Sequence, residues 1–230
     1  MDEFALIKRY FESLTPAALG VDLGVGDDCA LLAPPLGQQL AITADTLIAG
    51  RHFPLETAAA DVGWKALAVN LSDLAAMGAE PYAFTLALSL PEANADWLAG
   101  FAAGLGDLAR RAGIALVGGD TTRGALSITI TALGTVPPGA ALLRSGARSG
   151  DQVCVTGTLG DAALALRQLQ AAAPVDAALR ARLDRPTPRN AAGAALRGIA
   201  SAAIDLSDGL LGDLGHILSA SGVGATLELA

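Results

Sequence analysis

Two helix-length segments, each ended by a glycine, set the pattern of this chain. Residues 58–77 make a long helix candidate that stops at Gly78, with Pro81 just beyond. Asp96–Arg111 make a second, stopped by Gly113. Short apolar strands alternate with them. Leu40–Thr43 ends at Ala44-Asp45-Thr46. Phe84–Leu90 is closed by Pro91, and Ile114–Val117 runs into Gly118-Gly119-Asp120. Leu126–Val136 alternates as a strand does and ends at Pro137-Pro138-Gly139. A short helix at residues 4–13, with Phe4, Ile7, Tyr10 and Phe11 on one face, opens the chain. Strands and helices mix throughout, so the expected class is α/β or α+β.

The Pro/Gly turn and the polar stretch Arg144–Gly150 mark the best boundary, giving expected domains at 1–138 and 139–230. Past it, Gln152–Thr156 reads as a strand, and Gly157 and Gly160 lead into a helix near 161–170. Arg185–Arg189 breaks the chain with two prolines, and a helix follows to about 201. Ala203–Leu206 reads as a strand, Asp208–Ala220 as a helix and Ala225–Leu229 as a last strand. That strand has no closing element, so an unfinished second domain is expected.

Charge narrows the function. The net charge is −8, with 13 arginines and only two lysines. Phosphate backbones need clustered cations, so a general nucleic-acid binder is excluded. No run of about 20 apolar residues is present to cross a bilayer, and the first residues lack a signal-peptide core. A cytoplasmic location is expected. Cys29 and Cys154 are too few for a disulfide scaffold and sit in apolar runs, which predicts core thiols.

Aspartate outnumbers glutamate 17 to 6. Asp favours turns, caps and hard-metal sites over helix interiors. Asp27, Asp28, Asp45, Asp73, Asp120, Asp205 and Asp208 all stand where an apolar segment meets Gly, Ser or Thr. Each alone is an ordinary turn former or cap. Together, with Asp45, Asp120 and Asp205 expected at strand ends, they would repel one another unless a cation sat among them. Mg²⁺ suits such a set, because it takes a few carboxylates and bridges to substrate phosphates. Asp73 lies opposite the Trp64, Leu67, Leu71, Leu74 face of its helix. Its own side carries Val62, Ala66, Val69, Ala76 and Met77, too apolar for open solvent. A buried carboxylate there needs a partner, either a metal or Lys65.

Counter-charge for phosphate has few sources. Neither lysine follows a GxxxxG loop, and Gly24 and Gly26 make only a lone GxG. Arg123, Arg144 and Arg148 are the cationic candidates, each also a normal surface residue. Backbone amides at Gly118-Gly119 and Gly157-Thr158-Leu159-Gly160 could cradle an anion. No GxSxG or HExxH motif is present. His216 reads as structural. His52, seven residues after Asp45 in a loop, is a candidate ligand contact.

These segments together resemble the thiamine-monophosphate kinase family, within the group that includes aminoimidazole ribonucleotide synthetase and selenophosphate synthetase. The resemblance is carried by Gly24–Leu32, Ile42–Leu47 with His52-Phe53, and Lys65–Ala79. It continues in Gly118–Gly124, Arg144–Ala147, Val155–Gly160 and Ile204–Leu210. It implies ATP-dependent phosphorylation of thiamine monophosphate to thiamine diphosphate by direct transfer, with several Mg²⁺ ions between the phosphates. Asp28, Thr43, Asp45, Asp73, Asp120, Asp205 and Asp208 would hold metal, with the Ala44 backbone assisting. Gly119, Asp120, Arg144 and Ser207 would contact ATP, and His52 thiamine monophosphate. The implied fold is PurM-like: an N-terminal mixed-sheet domain that dimerises through its sheet, and a C-terminal α/β domain. Homodimers would form, with no nucleic-acid or membrane partner.

The chain departs from the family pattern twice. Position 44 is Ala where relatives carry Ser or Thr, which a backbone ligand tolerates. The Gly-Gly-Glu-Asp-Tyr segment and aromatic residue of the family's acceptor pocket are absent, so that pocket is expected to be incomplete. Two rivals stand beside the kinase: a related ATP-dependent ligase or kinase with another small-molecule acceptor, and a non-catalytic nucleotide-binding module.

Overall fold

The computed structural model describes residues 3–15 and 20–228. Helix α1 (Glu3–Tyr10) and a 3₁₀ turn (Glu12–Leu14) precede two short strands, β1 (Val21–Leu23) and β2 (Leu31–Leu32). Leu6, Tyr10 and Phe11 are buried and Ile7 is half-buried; the Phe4 side chain lies outside the described residues. A four-stranded sheet then follows, built from β3 (Gln39–Ile48), β4 (Glu80–Leu90), β5 (Ala115–Arg123) and β6 (Ser127–Val136). Helix α2 (Ala59–Ala76) links β3 to β4, and α3 (Ala95–Ala112) links β4 to β5. The order is β3-β6-β4-β5, with β4 and β5 parallel and β6 antiparallel to β3 and β4. The sheet is therefore mixed, as expected.

The helix ends follow from local chemistry. The Asn94 side chain accepts from the Trp97 amide at 3.0 Å and caps α3, and Gly113 closes it at φ +66. Both long helices pack on one sheet face, where Ile128, Ile130, Ala132 and Val136 alternate inward along β6. The helices approach closely because glycine permits it: a Cβ at Gly104 would lie 1.8 Å from the Ala60 carbonyl oxygen. The apolar far side of α2 is explained too, since Val62 and Ala66 are buried and Val69 and Met77 pack against the core.

Several expectations change. Pro81 stands just beyond α2, as expected, but already inside β4. Pairing to β5 begins only at Ala83, beside a register irregularity, so the missing amide costs no ladder bond on that side. β3 and β5 run past their aspartates, leaving Asp45 and Asp120 in mid-strand and not at strand ends. In the second half, α4 (Asp161–Gln170) and α7 (Leu210–Ser221) match expectation. Helix α5 (Ala177–Asp184) was not foreseen, and α6 (Asn190–Leu196) stops short of 201. Segments 152–156, 203–206 and 225–228 carry no strand ladder, and Leu229 lies outside the described residues. An apolar run forms a strand only when a neighbour accepts its backbone bonds. Cys29 and Cys154 are both exposed, not core thiols.

The close α2–α3 crossing predicts that Gly104→Ala lowers stability by about 1–3 kcal/mol, several degrees of Tm in a chain of this size. Gly215→Ala, on α7 with nothing within 4 Å of the added carbon, should raise stability by up to about 1 kcal/mol. Thermal unfolding followed by circular dichroism checks both.

Candidate active site

The site is assembled around α2. On the helix-facing side of β3, Thr43 donates its hydroxyl to Asp73 Oδ2 at 2.5 Å. Two residues on, the Asp45 amide donates to Asn70 Oδ1 at 3.2 Å. Asn70 is fully buried, and its amide group donates to the Ala66 carbonyl at 3.0 Å. It thereby ties an edge strand to the helix one turn before Asp73. A cleft of about 230 Å³ opens beside this seam, lined by Thr43, Asp73, Met77, Arg144 and Asp205 among others. Segment 203–205 is brought there by the Ala203 amide, which donates to Leu143 O at 2.9 Å.

Asp73 and Asp205 line this cleft, and Asp45 lies within electrostatic reach of both. Burial, then the Asp73 charge, raises the proton affinity of Asp45 above the ordinary carboxylate range, and His52 opposes this. Asp205 is raised by burial, then by Asp73, Asp213 and Asp45, with Arg144 opposing. Lys65 is not the partner of Asp73: its ammonium donates to the His52 carbonyl at 3.0 Å. Burial lowers its proton affinity, opposed by Asp184 and reinforced by Arg180. His52 itself is exposed, and its Nδ1 accepts from the Ile48 amide at 2.9 Å.

The remaining expected site residues stand elsewhere. Asp28 is exposed in the loop between β1 and β2, its amide donating to Asp27 Oδ1 at 2.8 Å. Ala44 is exposed on the opposite face of β3. Asp120 is exposed too, beside Ala87 on the sheet face away from the helices. Gly119, expected in an anion cradle, lies within β5, where at φ +149 its Cβ would lie 1.8 Å from the Leu86 carbonyl oxygen. Ser207 and Asp208 are exposed, with both amides turned to Asp213. Arg123 is exposed at the end of β5, and the Arg148 amide bonds Asp151. Asn70 and Asp213 were missed by sequence reasoning. An Asn amid apolar helix residues was the available signal for the first; Asp213 gave none beyond its place in a helix start.

No described helix is long and apolar enough to cross a membrane. Nor do three His, Cys, Asp or Glu residues close into a ready-made metal cage among the described residues. The donor chemistry fits Mg²⁺ in a looser way, as an ion that keeps waters, takes one or two carboxylates and completes its shell with substrate phosphates. Asp45 and Asp205, each within reach of the Asp73 charge, make with Asp73 that kind of donor set.

In the folded chain Asp45 and Asp205 hold protons to a higher pH than in the unfolded chain. Stability from these groups is therefore largest below the ordinary carboxylate range and falls as pH rises through the raised one. In metal-free buffer, Asp45→Asn and Asp205→Asn should each raise Tm at pH 7 relative to the parent chain. The difference should shrink near pH 4. A fall in Tm at pH 7 for both would contradict the repulsion.

Residues 26–136 match the family model described as AIR synthase related protein, N-terminal domain. Over 233 residues the chain is 54% identical to the thiamine-monophosphate kinase of Escherichia coli strain K12, covering 99% of this chain and 72% of that one. The crystal structure of thiamine-monophosphate kinase from Stenotrophomonas maltophilia K279a superposes with a TM-score of 0.89 at 55% identity, covering 96% of this chain and 73% of that one. A structure of AaThiL complexed with AMPPCP and TMP gives a TM-score of 0.77 at 31% identity, covering 96% and 70%. A mixed sheet with two helices on one face, an aspartate-lined cleft and these likenesses agree: the chain belongs to the thiamine-monophosphate kinase family.

Proposed function

We propose that this chain transfers the γ-phosphoryl group of ATP directly to thiamine monophosphate, giving thiamine diphosphate. The carrying observation is the cleft lined by Thr43, Asp73, Asp205 and Arg144, with Asp45 in electrostatic reach of it, in a chain 54% identical to a named kinase. The AaThiL complex with AMPPCP and TMP supports the substrate pair. Two phosphorylated reactants repel each other, so phosphoryl transfer asks mainly for positioning and charge neutralisation. Here an oxygen of the acceptor phosphate forms the new P–O bond as the bond to the ADP leaving group breaks. That oxygen is already ionised, so no strong base is required.

Asp45, Asp73 and Asp205 hold Mg²⁺ in this reading, with Asp28, Asp120 and Asp208 joining as ligands of further ions. Mg²⁺ supplies charge neutralisation between the phosphates when bound. Thr43 fixes the Asp73 carboxylate, and the Ala44 backbone assists at the same strand. Arg144, with Gly119, Asp120 and Ser207, contacts the nucleotide. His52 contacts thiamine monophosphate, on a loop steadied by Lys65. The nucleotide-binding unit is residues 1–138, and 139–230 form the second domain.

A homodimer formed through the open sheet face belongs to the same proposal. Leu40, Ile42 and Ile48 are 45%, 64% and 46% exposed along one side of β3. Apolar side chains in a row on a sheet face are well suited to a two-fold partner.

A coupled assay of diphosphate formation tests the reading. Arg144→Met should raise the KM for ATP about 10–100-fold with the KM for thiamine monophosphate little changed, as expected for a lost charge-assisted contact. His52→Ala should do the converse. No diphosphate formed by the unaltered chain, under saturating Mg²⁺ and ATP, would overturn the assignment. Sedimentation of Ile42→Asp should show a monomer where the parent chain is a dimer.

A further inference from the structure

Asp213 is only 3% exposed, and it is one of two buried aspartates among the described residues. The other, Asp184, has Arg180 as its ion-pair partner. Asp213 has no such cation among the described residues. Its Oδ2 instead accepts three backbone amides, from Ser207 at 3.0 Å and from Asp208 and Gly209 at 3.1 Å. The Asp213 amide returns a bond to the Gly209 carbonyl at 3.0 Å. Gly209 precedes α7 at φ +100, a backbone state that side chains rarely adopt, and supplies no side-chain cap.

Converging amides at a helix start are how a backbone holds an anion. Here the anion belongs to the helix itself. Two consequences follow. The amides of 207–209 are occupied, so this loop does not offer them to phosphate. The curl that brings three amides to one oxygen also fixes the backbone that carries Asp205 and Asp208. Asp205 lines the cleft, and the side chains of Ser207 and Asp208 are exposed.

We propose that Asp213 is a positioning residue for the cation-holding loop, setting Asp205 and Asp208 by gripping the Ser207–Gly209 backbone. The inference rests on the reading of Asp205 and Asp208 as metal ligands. Outer groups that orient ligands are worth about 10–100-fold in metal affinity.

The test is Mn²⁺ titration of the full chain followed by electron paramagnetic resonance, with the Mg²⁺ dependence of the kinase reaction beside it. Asp213→Asn should weaken Mn²⁺ binding about 10–100-fold and raise the half-saturating Mg²⁺ in parallel. The KM for thiamine monophosphate should stay within about twofold, and Ser207–Gly209 amide exchange should quicken. Asp176→Ala removes a cap from α5, where that side chain accepts the Ala178 amide at 2.8 Å. It should cost stability while leaving Mn²⁺ affinity unaltered. Equal Mn²⁺ affinities in Asp213→Asn and the parent chain, with Asp205→Asn weakened, would overturn the positioning role alone. Unaltered affinity in Asp205→Asn would overturn the ligand reading beneath it. Should Asp213→Asn not fold, exchange in the parent chain decides. Protection of the 207–209 amides that rises on adding Mn²⁺ supports the role, and exchange as fast as in the exposed 157–160 loop sinks it.

Discussion

Helix α2 is gripped on several sides, and the cleft exists because of that grip. The sheet and α3 bury its Leu67, Leu71 and Leu74 face. From the second half of the chain, the Trp64 indole donates to the Pro186 carbonyl at 2.9 Å, and Asn190 donates to the Leu71 carbonyl at 2.9 Å. Gly193 lies so close that a Cβ there would stand 2.0 Å from the Ala75 carbonyl oxygen. Arg185 pairs with Asp61 and, with Arg111, covers the Trp64 ring at 5.7 and 5.3 Å. Exposed ion pairs of this kind are worth about 0–1 kcal/mol each. The apolar burial and the close backbone contacts carry the rest. A helix held in this way cannot turn Asp73 away from its neighbours.

That rigidity sustains an electrostatic arrangement that would otherwise relax. Carboxylates that repel can swing apart when their backbone is free. Asp45 is held by the Asn70 bond to its own amide, Asp73 by the Thr43 hydroxyl, and the Asp205 segment by the bonds at Ala203 and Asp213. The bonds at Asp45 and at the Asp205 segment act on backbone, and the Thr43 hydroxyl engages one Asp73 oxygen and leaves the other unengaged by it. The folded chain thus stores unfavourable charge at the place where a divalent ion and phosphates would relieve it.

Helix stops at Gly78 and Gly113 were legible because glycine is a local signal, and the apolar character around Asp73 revealed a second buried side of α2. Strand lengths were not legible. Asp45 and Asp120 looked like terminators because Asp disfavours strands, yet pairing with β6 and β4 carries the backbone through them. Gly119 looked like an anion cradle, and the close approach of the Leu86 carbonyl is a separate reason for glycine there. Cys29 and Cys154 show the limit of reading burial from neighbours, since apolar neighbours did not place either thiol inside. Segments 152–156 and 203–206 are extended in composition but unpaired, because a ladder is a property of two segments.

The scarcity of lysine gains its meaning from where the two positive candidates go. Lys65, the lysine nearest the site in sequence, spends its ammonium on the His52 carbonyl inside a buried setting. The start of α7, which could have drawn phosphate by its amides, is closed by Asp213. Arg144 is left as the guanidinium lining the cleft. A site that admits two polyanionic reactants through one arginine and several carboxylates cannot neutralise them from its own side chains. The folding of Asp213 onto its own helix makes the same choice locally: it removes a phosphate-binding helix start and leaves a loop that presents oxygens to a cation. In the proposed reading, dependence on an external divalent ion is built into the backbone at α7 as much as into the aspartates themselves.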